Sequence, residues 1–255
     1  MKNIKKFLLT MAMTMALGTS AFAASGFEFL FQLAGGAGAA IPNKEAKDLG
    51  FGTGLSFDAD ISAQIGYMFQ VKEGFGISVL GELGYSWDMY LTGIDGGTLS
   101  SNTTGGQTTY TVEGKDGISI AEYYHSFKLG LLPKFNIGVG RGAIALGIGG
   151  GVKIPVAGNY RITTTTVGTS QVKENVYSET EIALKRKDIT DMFSPSVIGY
   201  MKVTFDYYLF FTDNIGMNFG LYLGGDFMPK IKDVKYGYNS FDIGLQLGFR
   251  FGPKA

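Results

Sequence analysis

Phe57-Asp58-Ala59-Asp60-Ile61-Ser62-Ala63-Gln64-Ile65-Gly66-Tyr67-Met68-Phe69-Gln70 alternates apolar and polar side chains, with Met68 the one exception. Successive side chains of a strand point to opposite faces, so this period of two marks a β-strand with one apolar and one polar face. The next run repeats the pattern. Phe75, Ile77, Val79, Leu83, Tyr85, Trp87, Met89 and Leu91 alternate with Ser78, Glu82, Gly84, Ser86 and Asp88. A slip of one residue would move every carboxylate onto the apolar face, so the register is strongly specified.

Outward from these two runs, the alternation recurs along the chain. Eight strands are predicted, at about 26–40, 55–70, 75–91, 118–135, 142–156, 197–211, 215–228 and 238–251. Each is long for a globular strand but suits a tilted membrane strand of ~9–11 residues with extensions into water. Short connections near 71–74, 136–141 and 212–214 alternate with long ones near 41–54, 92–117, 157–196 and 229–237. Transmembrane barrels of the outer membrane show this asymmetry, and an even strand count places both termini on the side of the short turns. The 157–196 connection holds Thr163 to Thr166 in a row and ten mixed charges, and leaves room for a strand extension or a short helix near Ile182 to Ile189.

The N-terminus reads as a secretory signal peptide over residues 1–23. Lys2, Lys5 and Lys6 precede the apolar stretch Phe7 to Leu17, and Ala21-Phe22-Ala23 is a cleavage signal. Residues 24–255 are then one domain. The remaining 19 basic and 22 acidic side chains leave a charge of −3, which excludes the basic surface a nucleic-acid partner demands. The chain has no Cys, so disulfides, thiolate metal sites and lipid attachment at a cysteine are excluded. Beyond the signal there is no run of 18 apolar residues, and hence no transmembrane helix in the sequence.

Size settles which face points outward. The apolar face carries 18 aromatic side chains, among them Phe57, Phe69, Phe219 and Phe249. Eight strands enclose a space only wide enough for ordinary side chains to fill, so these rings must face outward. They also collect near strand ends. Tyr67, Phe69, Phe75, Phe135, Phe211, Phe249 and Phe251 lie by the short turns, and Tyr85, Trp87 and Tyr123 lie toward the long loops. Two aromatic girdles around an aliphatic band match a bilayer. The predicted fold is all-β: an eight-stranded antiparallel up-and-down transmembrane β-barrel.

The last strand alternates Phe241, Ile243, Leu245, Leu247, Phe249 and Phe251 with Asp242, Gly244, Gln246, Gly248 and Arg250. With Phe249 and Phe251 near its end, this resembles the C-terminal signal read by the outer-membrane insertion machinery. Together with the strand count, loop asymmetry and leader, residues 25–251 resemble the small outer-membrane β-barrel family of OmpA-like and opacity-type barrels. The resemblance implies an integral outer-membrane location with periplasmic termini. It also implies assembly by the insertion machinery and periplasmic chaperones.

The polar face puts Glu28, Asp58, Asp60, Glu82, Asp88, Glu122, Lys128, Lys134, Lys153, Lys202, Asp206, Asp226, Asp242 and Arg250 inside. Buried charges need partners, so an ion-pair network involving Glu28, Glu82, Lys128, Lys202, Asp206 and Arg250 is expected to plug the lumen. Counting from the shared turn, Glu82 and Lys128 sit at the same height on their strands and could pair, and Glu28 and Arg250 both lie near the periplasmic end of the seam where the first and last strands should meet.

Sites for chemistry are sparse. His125, the only histidine, falls on the lipid face, whereas its neighbour Ser126 points inward, so the two cannot act as nucleophile and base. Asp58 and Asp60 share a face but lack any EF-hand spacing. Gly138, Gly140 and Gly142 lack the helix and Lys-Ser/Thr pair of a phosphate loop. Asn102-Thr103-Thr104 matches a glycosylation pattern of little weight here. No catalytic, cofactor or metal residues are assigned. The expected role is structural or surface-interacting, in adhesion or envelope integrity. Loops 92–117 and 157–196 would meet host or cell-surface ligands. A narrow porin-like channel for ions or small solutes is the alternative.

Overall fold

In a computed structural model the described residues are 25–94, 98–104, 107–113, 117–166, 176–233 and 235–255. The expected leader, 1–23, and its cleavage site lie outside them. Strands β1 (Gly26–Pro42), β2 (Phe51–Lys72) and β3 (Phe75–Ile94) form an antiparallel meander. Strands β4 (Thr98–Thr104) and β5 (Gln107–Glu113) make a separate hairpin in the next connection. Then come β6 (Gly117–Leu131), β7 (Lys134–Val139), β8 (Gly142–Thr166), β9 (Val176–Lys185), β10 (Phe193–Ser194) and β11 (Ile198–Phe210). The chain ends with β12 (Ile215–Phe227), β13 (Lys230–Ile231) and β14 (Tyr238–Phe251). Among the described residues two short helices, α1 (Lys44–Asp48) and α2 (Arg186–Met192), lie in connections.

The wall is a closed ring: β1, β2, β3, β6 with β7, β8, β11, β12 and β14, which pairs back onto β1. β6 and β7 share one wall position because both pair with β3. Pro133 separates them, having no N–H to give to the ladder. Closure leaves the lower wall without unpaired strand edges, as a bilayer requires. The alternation also holds in three dimensions. Phe27, Phe57, Phe69, Phe219, Leu245 and Phe249 face outward, whereas Glu28, Gln64, Ser126 and Arg250 are fully buried inside. A continuous apolar exterior of this kind fits hydrocarbon and not water. The protein is an eight-stranded antiparallel transmembrane β-barrel. No described helix is long and apolar enough to cross a membrane.

Three sequence-based boundaries change. The expected turn at 136–141 shrinks to Gly140 and Arg141, because Ile137 and Val139 continue the outward apolar face to the end of β7. Gly140 takes φ +56° there, and Gly74 takes φ +74° in the turn between β2 and β3, a conformation open to glycine at little cost. The expected 41–54 loop is shortened at both ends, β1 running to Pro42 and β2 starting at Phe51, with α1 between; Asn43 caps α1 by accepting from the Ala46 amide at 2.9 Å. The largest change lies at 157–196. The threonine row belongs to β8, whose 25 residues far exceed the ~9–11 needed to cross a bilayer. Above the membrane β9 takes over from β11 on the same edge of β8: β11 pairs with residues 142–153 and β9 with 157–166.

Candidate functional site

The lumen fills in layers. At the end with short turns, Arg250 at the end of β14 meets Glu28 of β1 at 2.9 Å, both with fully buried side chains. The guanidinium lies over the Tyr208 ring, 4.5 Å from its centroid, and donates to Asn136 Oδ1 at 3.2 Å. Ser78 donates to Glu28, and Asn136 donates to Ser78 at 2.8 Å. Beside them Lys134 pairs with Asp206 at 2.9 Å and donates to Tyr208 at 3.1 Å. Residues 252–255 cross this mouth. Lys254 of the tail donates to the Gly140 carbonyl, in the turn after β7, which lies opposite β14 in the ring.

The middle layer holds Lys128, whose ammonium touches Asp60 and stands 3.8 Å from Glu82. Glu82 has a nearer cation in Lys202, at 2.8 Å, and accepts from Tyr200 at 2.6 Å. Above it Lys153 bridges Asp88 at 2.6 Å and Asp226 at 2.8 Å, and Tyr90 donates to Asp226 at 2.6 Å. Tyr222 donates to Asp58, while Ser56 and Ser240 donate to Asp242. Glycines make room for these rings. A Cβ on Gly130 would stand 2.0 Å from the Tyr200 hydroxyl, and one on Gly244 would stand 2.4 Å from the Tyr222 ring.

At the mouth with the long connections the filling turns aromatic. Tyr90, Tyr124, Tyr160, Tyr236, Tyr238 and Phe193 pack with Leu184, Ile189, Ile198 and Met228 into one buried cluster. Phe193 stacks on Tyr160 and meets Tyr124 edge-on. Helix α2 supplies Ile189, and the β10–β13 pair ties Phe193 to Ile231. The segment is fastened by Arg186, which donates to the carbonyls of Pro155 at 3.1 Å and Ser196 at 2.6 Å and to the Ser196 hydroxyl at 3.0 Å. Tyr236, in the connection before β14, shares a 3.1 Å hydrogen bond with Thr92, and burial pushes its phenol up to about 12.

Of the residues named from sequence, Glu28 and Arg250 meet at the seam. Glu82 and Lys128 stand 3.8 Å apart within a shared network, in which Lys202 holds Glu82 more closely and Asp60 takes Lys128. Asp206 pairs with Lys134. The girdle residues Tyr67, Phe69, Phe75, Tyr85, Trp87, Tyr123, Phe135, Phe211, Phe249 and Phe251 all lie on the outward face, half-buried or exposed. Trp87 and Tyr123 are neighbours on that face. His125 also faces outward, bonded through Nδ1 to the Tyr85 hydroxyl, and Ser126 is buried on the opposite face. Sequence reading missed the inward tyrosines. Tyr200, Tyr208 and Tyr222 share strand parity with Lys202, Asp206 and Gly224, and that parity was the available signal.

No protein-family model and no curated protein matches the chain. Among solved structures it is similar to Neisserial surface protein A, at 11% identity over 89% of this chain and 99% of that one, TM-score 0.36. It is similar to the outer membrane protease OmpT of Escherichia coli at 8% identity, covering 91% and 97%, TM-score 0.39. It is also similar to Ail, the attachment invasion locus protein of Yersinia pestis, solved with the heparin analogue sucrose octasulfate, at 8% identity, covering 88% and 99%, TM-score 0.24. At these identities and scores the likenesses carry no functional argument, and the barrel assignment rests on the chain's own closed ladder and apolar exterior.

Proposed function

We propose that this chain is an integral outer-membrane protein whose barrel is an anchor and whose outer hairpins interact at the cell surface, in adhesion or envelope integrity. The observation that carries this reading is the closure of the lumen. Ion pairs fill its lower half, the aromatic cluster under α2 caps its outer mouth, and residues 252–255 cross the other end. A filled barrel leaves the wall above the membrane as the part free to act. There β8 and β9 form a long hairpin, and β4 and β5 a second one. Loops and hairpins on a rigid scaffold commonly carry binding. The partners in this reading are outer-membrane lipid around the girdles and host or cell-surface molecules at the hairpins. Assembly partners are periplasmic chaperones and the insertion machinery, which would read Phe249 and Phe251. Both termini lie in the periplasm. His125, facing lipid and turned away from Ser126, has no part in a catalytic reading.

The test has two arms. Deleting residues 98–113 should abolish attachment of expressing cells to host cells or matrix, while the barrel still inserts. Retained attachment would overturn the hairpin assignment. The second reading, a narrow ion channel, draws on the charged column from Arg250 to Asp226. Purified protein in a planar bilayer should show no steady conductance steps, and reproducible steps lost on denaturation would favour the channel instead.

A further inference from the structure

Glu122 of β6 lies within the aromatic filling at the mouth with the long connections, only 2% exposed. It sits opposite Tyr160 in the ladder between β6 and β8, on the part of β8 that β9 covers above the membrane. Elsewhere in the lumen Glu28, Asp60, Glu82, Asp88, Asp206 and Asp226 each pair with a lysine or arginine. Glu122 pairs with none among the described residues, and its neighbours are phenols. Tyr124 donates to Oε2 at 2.8 Å and stands 3.4 Å from the Tyr160 hydroxyl. Oε1 is buried with no hydrogen-bond donor. Burial raises this carboxyl from 4.5 to about 6, which the surrounding phenols only partly offset.

The cap rests on the same phenols. Phe193 stacks on Tyr160 and meets Tyr124 edge-on, and Ile189 of α2 packs into the same cluster. A negative charge here has no cation to answer it, so its ionisation favours any movement that admits water. The wall is a closed ladder, and the lumen beneath is filled by Lys153 with Asp88 and Asp226. The cap is therefore the part that can yield.

We propose that Glu122 is a proton-operated latch: protonated, it lets α2 and Phe193 seat on the barrel mouth, and ionised, it draws in water and loosens them. In water this carboxyl titrates at 4.5, so the seal has its full stabilisation below that pH, loses it as pH rises through about 6 and lacks it above. The titratable groups that face it are Tyr90 on β3, Tyr124 on β6, Tyr160 on β8, Tyr238 on β14 and Tyr236 just before it. Burial raises all five above the ordinary 10.0, so they keep their protons across this range. From β9, α2 and β10 come the apolar Leu184, Ile189 and Phe193. The nearest ion pair lies beneath, where Tyr90 donates to Asp226. The inference rests on the capped mouth and not on what the hairpins bind, so loss or retention of attachment leaves it standing.

The test uses the whole refolded chain in lipid vesicles, with a nitroxide attached through Lys187→Cys. That position is exposed on α2, and the chain has no cysteine of its own. Between about pH 4.5 and 8 the spin-label spectrum should pass from an immobilised to a several-fold more mobile line shape, with its midpoint near 6. Glu122→Gln should hold the immobilised form throughout. Glu122→Met, a second neutral replacement, gives the same reading if the Gln variant does not insert. His125, on the opposite face of β6, is the control, and His125→Gln should leave the titration in place. A spectrum unchanged across the range would overturn the proposal. So would a titration that survives in the Glu122 variants, or one that His125→Gln removes.

Discussion

The carboxylate of Glu28, at the start of the first strand, lies 2.9 Å from the guanidinium of Arg250, at the end of the last, with both side chains fully buried. The pair fastens the seam at which the ring closes. Breaking one partner of a buried pair leaves an uncompensated charge, worth about 3–5 kcal/mol. Arg250→Met should therefore lower stability by about that much in urea unfolding from lipid vesicles. Glu28→Gln with Arg250→Met should recover part of the loss. Additive losses in the double variant would show that the two do not interact.

The outward face predicts a second asymmetry. Leu245 is 64% exposed in the middle of the last strand. If hydrocarbon surrounds it, Leu245→Arg should cost about 2–4 kcal/mol in vesicles. Thr180→Arg, on the exposed part of β9, should change stability by less than about 0.5 kcal/mol. Comparable costs at the two positions would contradict the membrane assignment.

Tyr222 crosses the lumen because Gly244 has no side chain, a Cβ there standing 2.4 Å from the ring. Gly244→Ala should cost about 1–3 kcal/mol by overpacking. Adding Tyr222→Ser should relieve much of that cost. A neutral Gly244→Ala would show that the ring has another place to go.

Arg186 holds the outer cap by three hydrogen bonds to Pro155 and Ser196. Arg186→Ala should speed trypsin cleavage at Lys187 several-fold while the unheated protein still migrates as a compact band. Unchanged cleavage would mean that packing of Ile189 and Phe193 alone secures the cap.

The cap should also loosen in strong alkali. Burial raises the Tyr236 phenol to about 12 from an ordinary value of 10.0. The unfolded chain loses this proton first, so the contribution is intact below pH 10, falls as pH rises above it and is gone above about 12. The difference in tyrosinate absorbance between the unmodified protein and Tyr236→Phe should titrate near that upper value. A midpoint near 10 would show Tyr236 to be solvated.

Much of this architecture was legible from parity. The alternation from Phe57 to Gln70 survives intact: Phe57, Ile61, Ile65 and Phe69 are exposed, and Ser62 and Gln64 are buried. Reading aromatic rings as outward hid Tyr200, Tyr208 and Tyr222, whose even positions place them inside with Lys202 and Asp206. The 157–196 connection was partly legible. Its threonines favour a strand, but only the ladder between β8 and β9 shows that one forms.

The sequence by itself determined which side chains face lipid and which face the lumen, because successive side chains of a strand point to opposite faces and eight strands cannot enclose so many rings. It also determined strand number and the alternation of short and long connections. Only the tertiary structure decided who meets whom inside. Lys202 reaches Glu82, 120 residues away, and Lys128 divides between Asp60 and Glu82, because the heights at which partners meet inside the ring are set by strand tilt and stagger. The cap was likewise settled in three dimensions: Ile189, Phe193 and Tyr236 come from separate connections, and no local periodicity links them.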